Sequence, residues 1–269
     1  MAAVCRIAQP PLIRDIHGRR CLSTRPGRGI DDVDDCYIPH GPKDTLLMLG
    51  YTIKENEMES HIQSLKEALK LKMMTLEYYT EDMAQSYTDL AMAQHQSVQF
   101  INEARENYLK AFEIWSKIRG PESREVANAL CLIGVVLRDI GDVDAAKSAF
   151  EDSLKIDKKL NSVESQLSSV FAINNLAAIE HIKQNFDDAV SLYEDALRIM
   201  LTATGGDPNH RMIALLYYNL ACCHRALVDH HAAETALNRA RSIIAQIGDH
   251  NHLAGRIEQL LKEVAMVQH

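Results

Sequence analysis

From residue 57 to residue 266, apolar side chains return at intervals of three and four. That spacing lays one face of an α-helix against a core and leaves the other to water. The clearest stretch is residues 126–157. Val126, Leu130, Ile133, Gly134 and Leu137 form one stripe, Gly141-Asp142 interrupts it, and Ala146, Phe150, Leu154 and Ile156 form the next. The pattern predicts two short helices and a turn, with Gly141 in the left-handed conformation that ends the first. Gly134 and Ala146 are small where the two helices would cross most closely, and Phe150 is the wedge one turn later. Residues 57–79 carry a comparable stripe of Ile62, Leu65, Leu69 and Met73. A shorter helix is predicted over 44–55 around Leu46, Leu47 and Leu49. The last helix shows Leu253, Ile257, Leu260, Leu261 and Val264. Residues 1–43 have no helical period.

The 126–157 pattern recurs. Ala104, Ala146, Ala189 and Ala233 stand 42, 43 and 44 residues apart. The wedge recurs with them as Tyr108, Phe150, Tyr193 and Leu237, and the small residue of the first helix as Ala91, Gly134, Ala177 and Ala221. Agreement of several registers at one period is the signature of a repeat array. The unit resembles the tetratricopeptide repeat: large, Leu, small and large residues in the first helix, Gly-Asp at the turn, then Ala, aromatic and Ala in the second. Ser153 stands where the last Ala is usual. The longer period resembles the repeats of kinesin light chains, as do Gly120-Pro121-Glu122, Gly206-Asp207-Pro208 and the run Ile173-Asn174-Asn175-Leu176-Ala177.

The resemblance implies an all-α, right-handed α-solenoid of antiparallel helix pairs. A tail of residues 1–43 precedes a repeat domain of residues 44–266. A degenerate leading repeat (44–79) is followed by repeats at about 81–119, 121–161, 162–205 and 207–247, and by a capping helix at 249–266. Local signals place the ends. Thr80 is the N-cap of a helix over 81–97, and one extra residue is absorbed near Val98. Pro121 opens the second repeat after Gly120, and Asp207-Pro208 caps a helix over 208–227. Asn161 with Glu164 forms a capping box for a helix over 162–183. Gln184-Asn185 replaces Gly-Asp, with Asn185 taking the turn conformation. Gly248-Asp249 separates the last two helices.

Composition narrows the function. Five of the seven prolines precede residue 43, which leaves only Pro121 and Pro208 for an otherwise helical span. A net charge of −8 argues against nucleic acid as a partner. No apolar run approaches the roughly 20 residues of a membrane span. Six cysteines without paired spacing read as free thiols. Residues 1–30 hold six Arg and no Lys or Glu, the composition of a mitochondrial presequence, although Pro10-Pro11 interrupts an amphipathic helix. The expected compartment is cytoplasmic, with mitochondrial as the alternative.

The candidate chemistry is sparse. His230-His231 and His250-Asn251-His252 lack the further ligands a metal needs. In Cys222-Cys223-His224, neighbouring side chains on a helix diverge. No Gly-rich phosphate loop is present. The sequence therefore predicts no enzyme, no cofactor and no metal. The resemblance implies that the second, fifth, ninth and twelfth positions of each first helix line a groove. These are Gln85, Thr88, Met92 and His95; Asn128, Cys131, Val135 and Arg138; Phe171, Asn174, Ala178 and His181; and Leu215, Tyr218, Cys222 and Arg225. The row His95, Arg138, His181, Arg225 has two readings: a ligand-facing stripe, or cations that complement helix C-termini. As a stripe it implies an acidic peptide or partner helix with apolar anchors. The clamp by which some members hold a C-terminal carboxylate is not expected. Asn175 and Asn219 match its Asn position, but Val135 and Leu215 stand where polar or basic groups are needed. The function expected is a protein–protein interaction scaffold. The alternatives are a mitochondrial assembly or adaptor factor, and a helical-repeat enzyme or small-molecule-sensing regulator.

Overall fold

Turn and cap chemistry divides the described residues into helices of about four to five and a half turns. The computed structural model describes residues 57–75, 77–248 and 252–267. The tail 1–43 and the helix predicted over 44–55 lie outside them. Ten α-helices occur among the described residues: α1 (Met58–Thr75), α2 (Glu81–His95), α3 (Ile101–Ile118), α4 (Arg124–Ile140), α5 (Val143–Leu160), α6 (Val163–Ile182), α7 (Phe186–Ala203), α8 (Arg211–Ala226), α9 (His230–Ile247) and α10 (His252–Val267). The chain is an all-α repeat solenoid. The pairs α2/α3, α4/α5, α6/α7 and α8/α9 are the repeats, and each helix packs mainly on the helix before it and the helix after it. First helices of adjacent repeats also touch, α4 on α6, and the terminal helix α10 touches α8.

The small and bulky registers meet inside each pair. Ala91, Gly134, Ala177 and Ala221 are fully buried, and so are Tyr108, Phe150, Tyr193 and Leu237. Ser153 is tolerated at its buried position because its hydroxyl donates to the Ala127 carbonyl at 2.9 Å and lies 3.1 Å from Cys131 Sγ. The extra residue near Val98 is taken up by a 3₁₀ turn, Val98–Phe100, ahead of α3.

Several ends differ from the sequence reading. Thr80 caps α2, accepting from Met83 N at 3.2 Å, and Gly141 and Gly248 end α4 and α9 in the left-handed region. Pro121 and Pro208 lie in the turns, not in the first helical turn. Each helix starts three residues later, where a side chain can accept from a free backbone N–H. Ser123 serves α4, and His210 Nδ1 accepts from Met212 N at 3.1 Å to start α8. Asn161 instead ends α5 at φ 47°, and Ser162 and Ser165 make the reciprocal capping box of α6. Between α6 and α7 the left-handed residue is Gln184, φ 63°, not Asn185. Asn185 sits at the N-cap of α7 and donates its amide to Glu180 Oε2 at 2.8 Å. In α1, Ile62 and Leu69 are buried, Leu65 is half-buried, and Met73 is 54% exposed.

Candidate interaction surface

The sixteen predicted groove residues all lie on α2, α4, α6 and α8, and their exposure falls along α2, α4 and α6, whereas on α8 only the last of them, Arg225, reaches the surface. Gln85 and Asn128 are exposed, and Thr88, Met92, Phe171 and Arg225 are half-buried. His95, Cys131, Val135, Arg138, Asn174, Ala178, His181, Leu215, Tyr218 and Cys222 are buried. The surface left open is therefore the N-terminal half of the first helices, mainly on α2, α4 and α6. Met92 and Phe171 pack on the core beneath while keeping part of their surface in water. Asn128 reaches the next repeat, where its Oδ1 accepts from Ser168 Oγ at 3.1 Å. Gln85, Asn128 and Phe171 occupy the same position in three successive repeats.

The row of basic residues is engaged within the chain. His95 Nε2 lies 3.0 Å from Asp139 Oδ2, one repeat further on. Arg138 grips Asp139 Oδ1 through Nε at 3.0 Å and through its terminal nitrogen at 2.7 Å, and also donates to Asn175 Oδ1 on α6. Burial alone would raise the Asp139 carboxyl, but the His95 hydrogen bond and the Arg138 charge outweigh it and hold it below the ordinary aspartate value. His181 Nδ1 lies 3.2 Å from Cys223 Sγ on α8, and its ring stands edge-on to Phe186. Arg225, 25% exposed, reaches Glu263 on α10 at 3.3 Å. Asn219 donates to Asn174 Oδ1 at 3.1 Å. These contacts join each repeat to the next.

The His181–Cys223 pair is the cysteine–histidine contact the sequence hides, since the candidate visible there was Cys223-His224. Both members are buried. Burial also pushes the Cys131 thiol up to about 12, against the opposing hydrogen bond between it and Ser153. A thiol so held is not a nucleophile near neutral pH. Among the described residues, no group of three or more His, Cys, Asp and Glu side chains is placed to hold a metal ion. No helix among them is long and apolar enough to cross a membrane.

Comparison with known proteins gives a consistent picture. The tetratricopeptide repeat family profile matches residues 82–159 and 169–258. No curated protein matches the chain. Among solved structures, BtubC (BKLC) from P. vanneervenii is similar at a TM-score of 0.60 and 21% identity, over 73% of this chain and 77% of that one. A Podospora anserina protein described as a kinesin light chain with nearly identical TPR-like repeats is similar at 0.56 and 20%, over 73% and 90%. At these identities the likeness is one of fold.

Proposed function

The chain belongs to the tetratricopeptide repeat family, and from that premise we propose that it is a non-catalytic scaffold that binds a peptide segment or partner helix across its first helices. The observation that carries this reading is the open row of Gln85, Asn128 and Phe171, with Thr88 and Met92 beside it on α2. Amide side chains at Gln85 and Asn128 both donate and accept, which suits a peptide backbone. Phe171 and Met92 offer partly exposed apolar area on a rigid support, the kind of anchor that contributes most to binding. The side chains of the His95–Arg225 row already hold partners inside the chain, so recognition on this face rests on apolar and amide contacts.

The test begins with peptide display against the purified chain. Binding of the selected peptide is then measured for wild type and for Met92→Asp with Phe171→Asp. Loss of at least tenfold in affinity, about 1.4 kcal/mol, with an unchanged far-ultraviolet spectrum is expected. Wild-type affinity in the double variant would place the binding surface elsewhere.

A further inference from the structure

A cleft of about 750 Å³ opens between α7, α8 and α9, away from the row just described. Its floor is apolar, with Leu197, Leu220 and Ala236 buried and Leu201 half-buried. Basic groups stand around it: Arg198 on α7, His224 on α8, and His231 and Arg239 on α9, with Glu194 as the acid in the lining. Arg239 is held over the floor. Its guanidinium lies 5.5 Å from the centre of the Tyr217 ring and donates to the Tyr217 hydroxyl at 3.3 Å.

The same joint in earlier repeats is built differently, and the repeat register makes the comparison exact to the residue. Leu192 occupies the position of Ala236 one repeat earlier, and packs against the two core clusters that meet there. One repeat before that the position is Ala149, but Phe112 of α3 packs against both adjoining clusters. At the last joint Ala236 stands opposite Leu197, and the space stays open. The charges change as well. Glu180, Asp187 and Asp195 of the third repeat align with His224, His231 and Arg239 of the fourth. Three acids are thus replaced by basic groups around one vacated apolar space, in a chain whose net charge is −8. Arg198 pairs with Asp195 at 2.7 Å, but both side chains are more than half exposed. An exposed pair of that kind exchanges partners at little cost.

We propose that this cleft is a second docking site, for a partner segment that presents a leucine-sized aliphatic side chain flanked by carboxylates. The aliphatic group takes the volume that Leu192 fills one repeat earlier. The carboxylates meet Arg198 and Arg239, which favour two-pronged contacts.

The probe is the capped pentapeptide Glu-Glu-Leu-Glu-Glu, titrated into the full chain and followed by heteronuclear NMR. Saturable shifts confined to α7, α8 and α9 are expected, with at least tenfold weaker binding of Lys-Lys-Leu-Lys-Lys and Glu-Glu-Ala-Glu-Glu. Ala236→Leu installs the residue of the earlier repeat and should reduce affinity at least tenfold. Arg239→Asp should do the same without altering core volume. The Phe171→Asp variant, on the other face, should bind this peptide as wild type does. Absence of shifts in α7–α9, equal binding of the lysine peptide, or wild-type affinity in Ala236→Leu or Arg239→Asp overturns the proposal.

Discussion

Gly134 lies in the middle of α4, where helix propensity alone favours alanine. Replacing glycine by alanine in a helix interior gains about 1 kcal/mol. The structure predicts the opposite sign for Gly134→Ala. A Cβ built on Gly134 would sit 2.8 Å from Phe150 Cε1 and 2.9 Å from Cζ. Carbon atoms in good contact are about 3.5–4.0 Å apart, so the ring must retreat by roughly 0.7 Å. Phe150 is fully buried between α4 and α5, so its ring can retreat only by displacing its neighbours in a close-packed core. Overpacking of this kind costs about 1–3 kcal/mol. Subtracting the propensity gain leaves a net destabilisation of up to about 2 kcal/mol. The other repeats carry Ala91, Ala177 and Ala221 at this position, facing Tyr108, Tyr193 and Leu237, so the penalty belongs to the glycine–phenylalanine pair. Urea unfolding of Gly134→Ala, Phe150→Leu and the double variant measures it. The double variant reproduces the Ala221–Leu237 pairing of the last repeat. It should be more stable than the two single effects added together, by a coupling of about 0.5–3 kcal/mol. A gain of about 1 kcal/mol in Gly134→Ala, as propensity alone requires, or strict additivity in the double variant, would refute the packing account.

Asp157 is buried at the α5–α6 joint, where desolvation lifts its carboxyl from 3.8 to about 6 against the opposing hydroxyls of Ser168 and Ser169. The folded chain then holds a proton more tightly than the unfolded chain, so stability falls as pH rises from about 4 to about 6. Asp157→Asn should flatten that fall and stabilise at pH 7–8 by up to about 3 kcal/mol, read from thermal melts across pH. Arg138→Ala leaves buried Asp139 without its main cation and should cost about 3–5 kcal/mol. Arg225→Ala removes a partly exposed contact and should cost about 1 kcal/mol or less, so comparable losses in denaturant titrations would contradict the assigned burial. Asp139 is held below its ordinary value, so its contribution is complete above pH 3.8 and is lost as pH falls through the lowered value. Asp139→Asn should accordingly show a shallower acid transition. Finally, Cys131 should resist a thiol reagent in the native chain and react on unfolding, as mass spectrometry of labelled peptides would show.

Helix pairing was legible in the sequence because it depends on contacts within about 20 residues. The spacing of Ala146 and Phe150 against Gly134 dictates how α4 and α5 cross. Caps were legible where the residue type has one use, as with Thr80, Gly141 and Gly248. Pro121 and Pro208 misled because proline suits both a turn and a first helical residue, and the acceptors at Ser123 and His210 decided between them. The candidate site was less legible. Register identifies which face of α4 carries Arg138, but not how far that face stands from α6. Stacking between repeats brings Asp139 to His95 and Glu263 to Arg225, each about 40 residues away in sequence, whereas Arg138 takes its own neighbour Asp139. The cleft beside Ala236 depends on the same stacking. Its visible traces were the change from Leu192 to Ala236 and the exchange of Glu180, Asp187 and Asp195 for His224, His231 and Arg239 in the aligned register.

The filling of the joints has a mechanical consequence. Contacts run chiefly between neighbouring helices, so the array is a chain of springs in series, and bending concentrates where the restoring contacts are fewest. The joints closed by Phe112 and Leu192 resist flexing with solid side-chain contact. The joint between α7 and α9 lacks that filler and is the compliant one. Of the three joints between full repeats, this one should yield first under tension along the array, and a bound side chain wedged beside Ala236 would stiffen it. Occupancy of a single cleft would thereby set the curvature of the last two repeats.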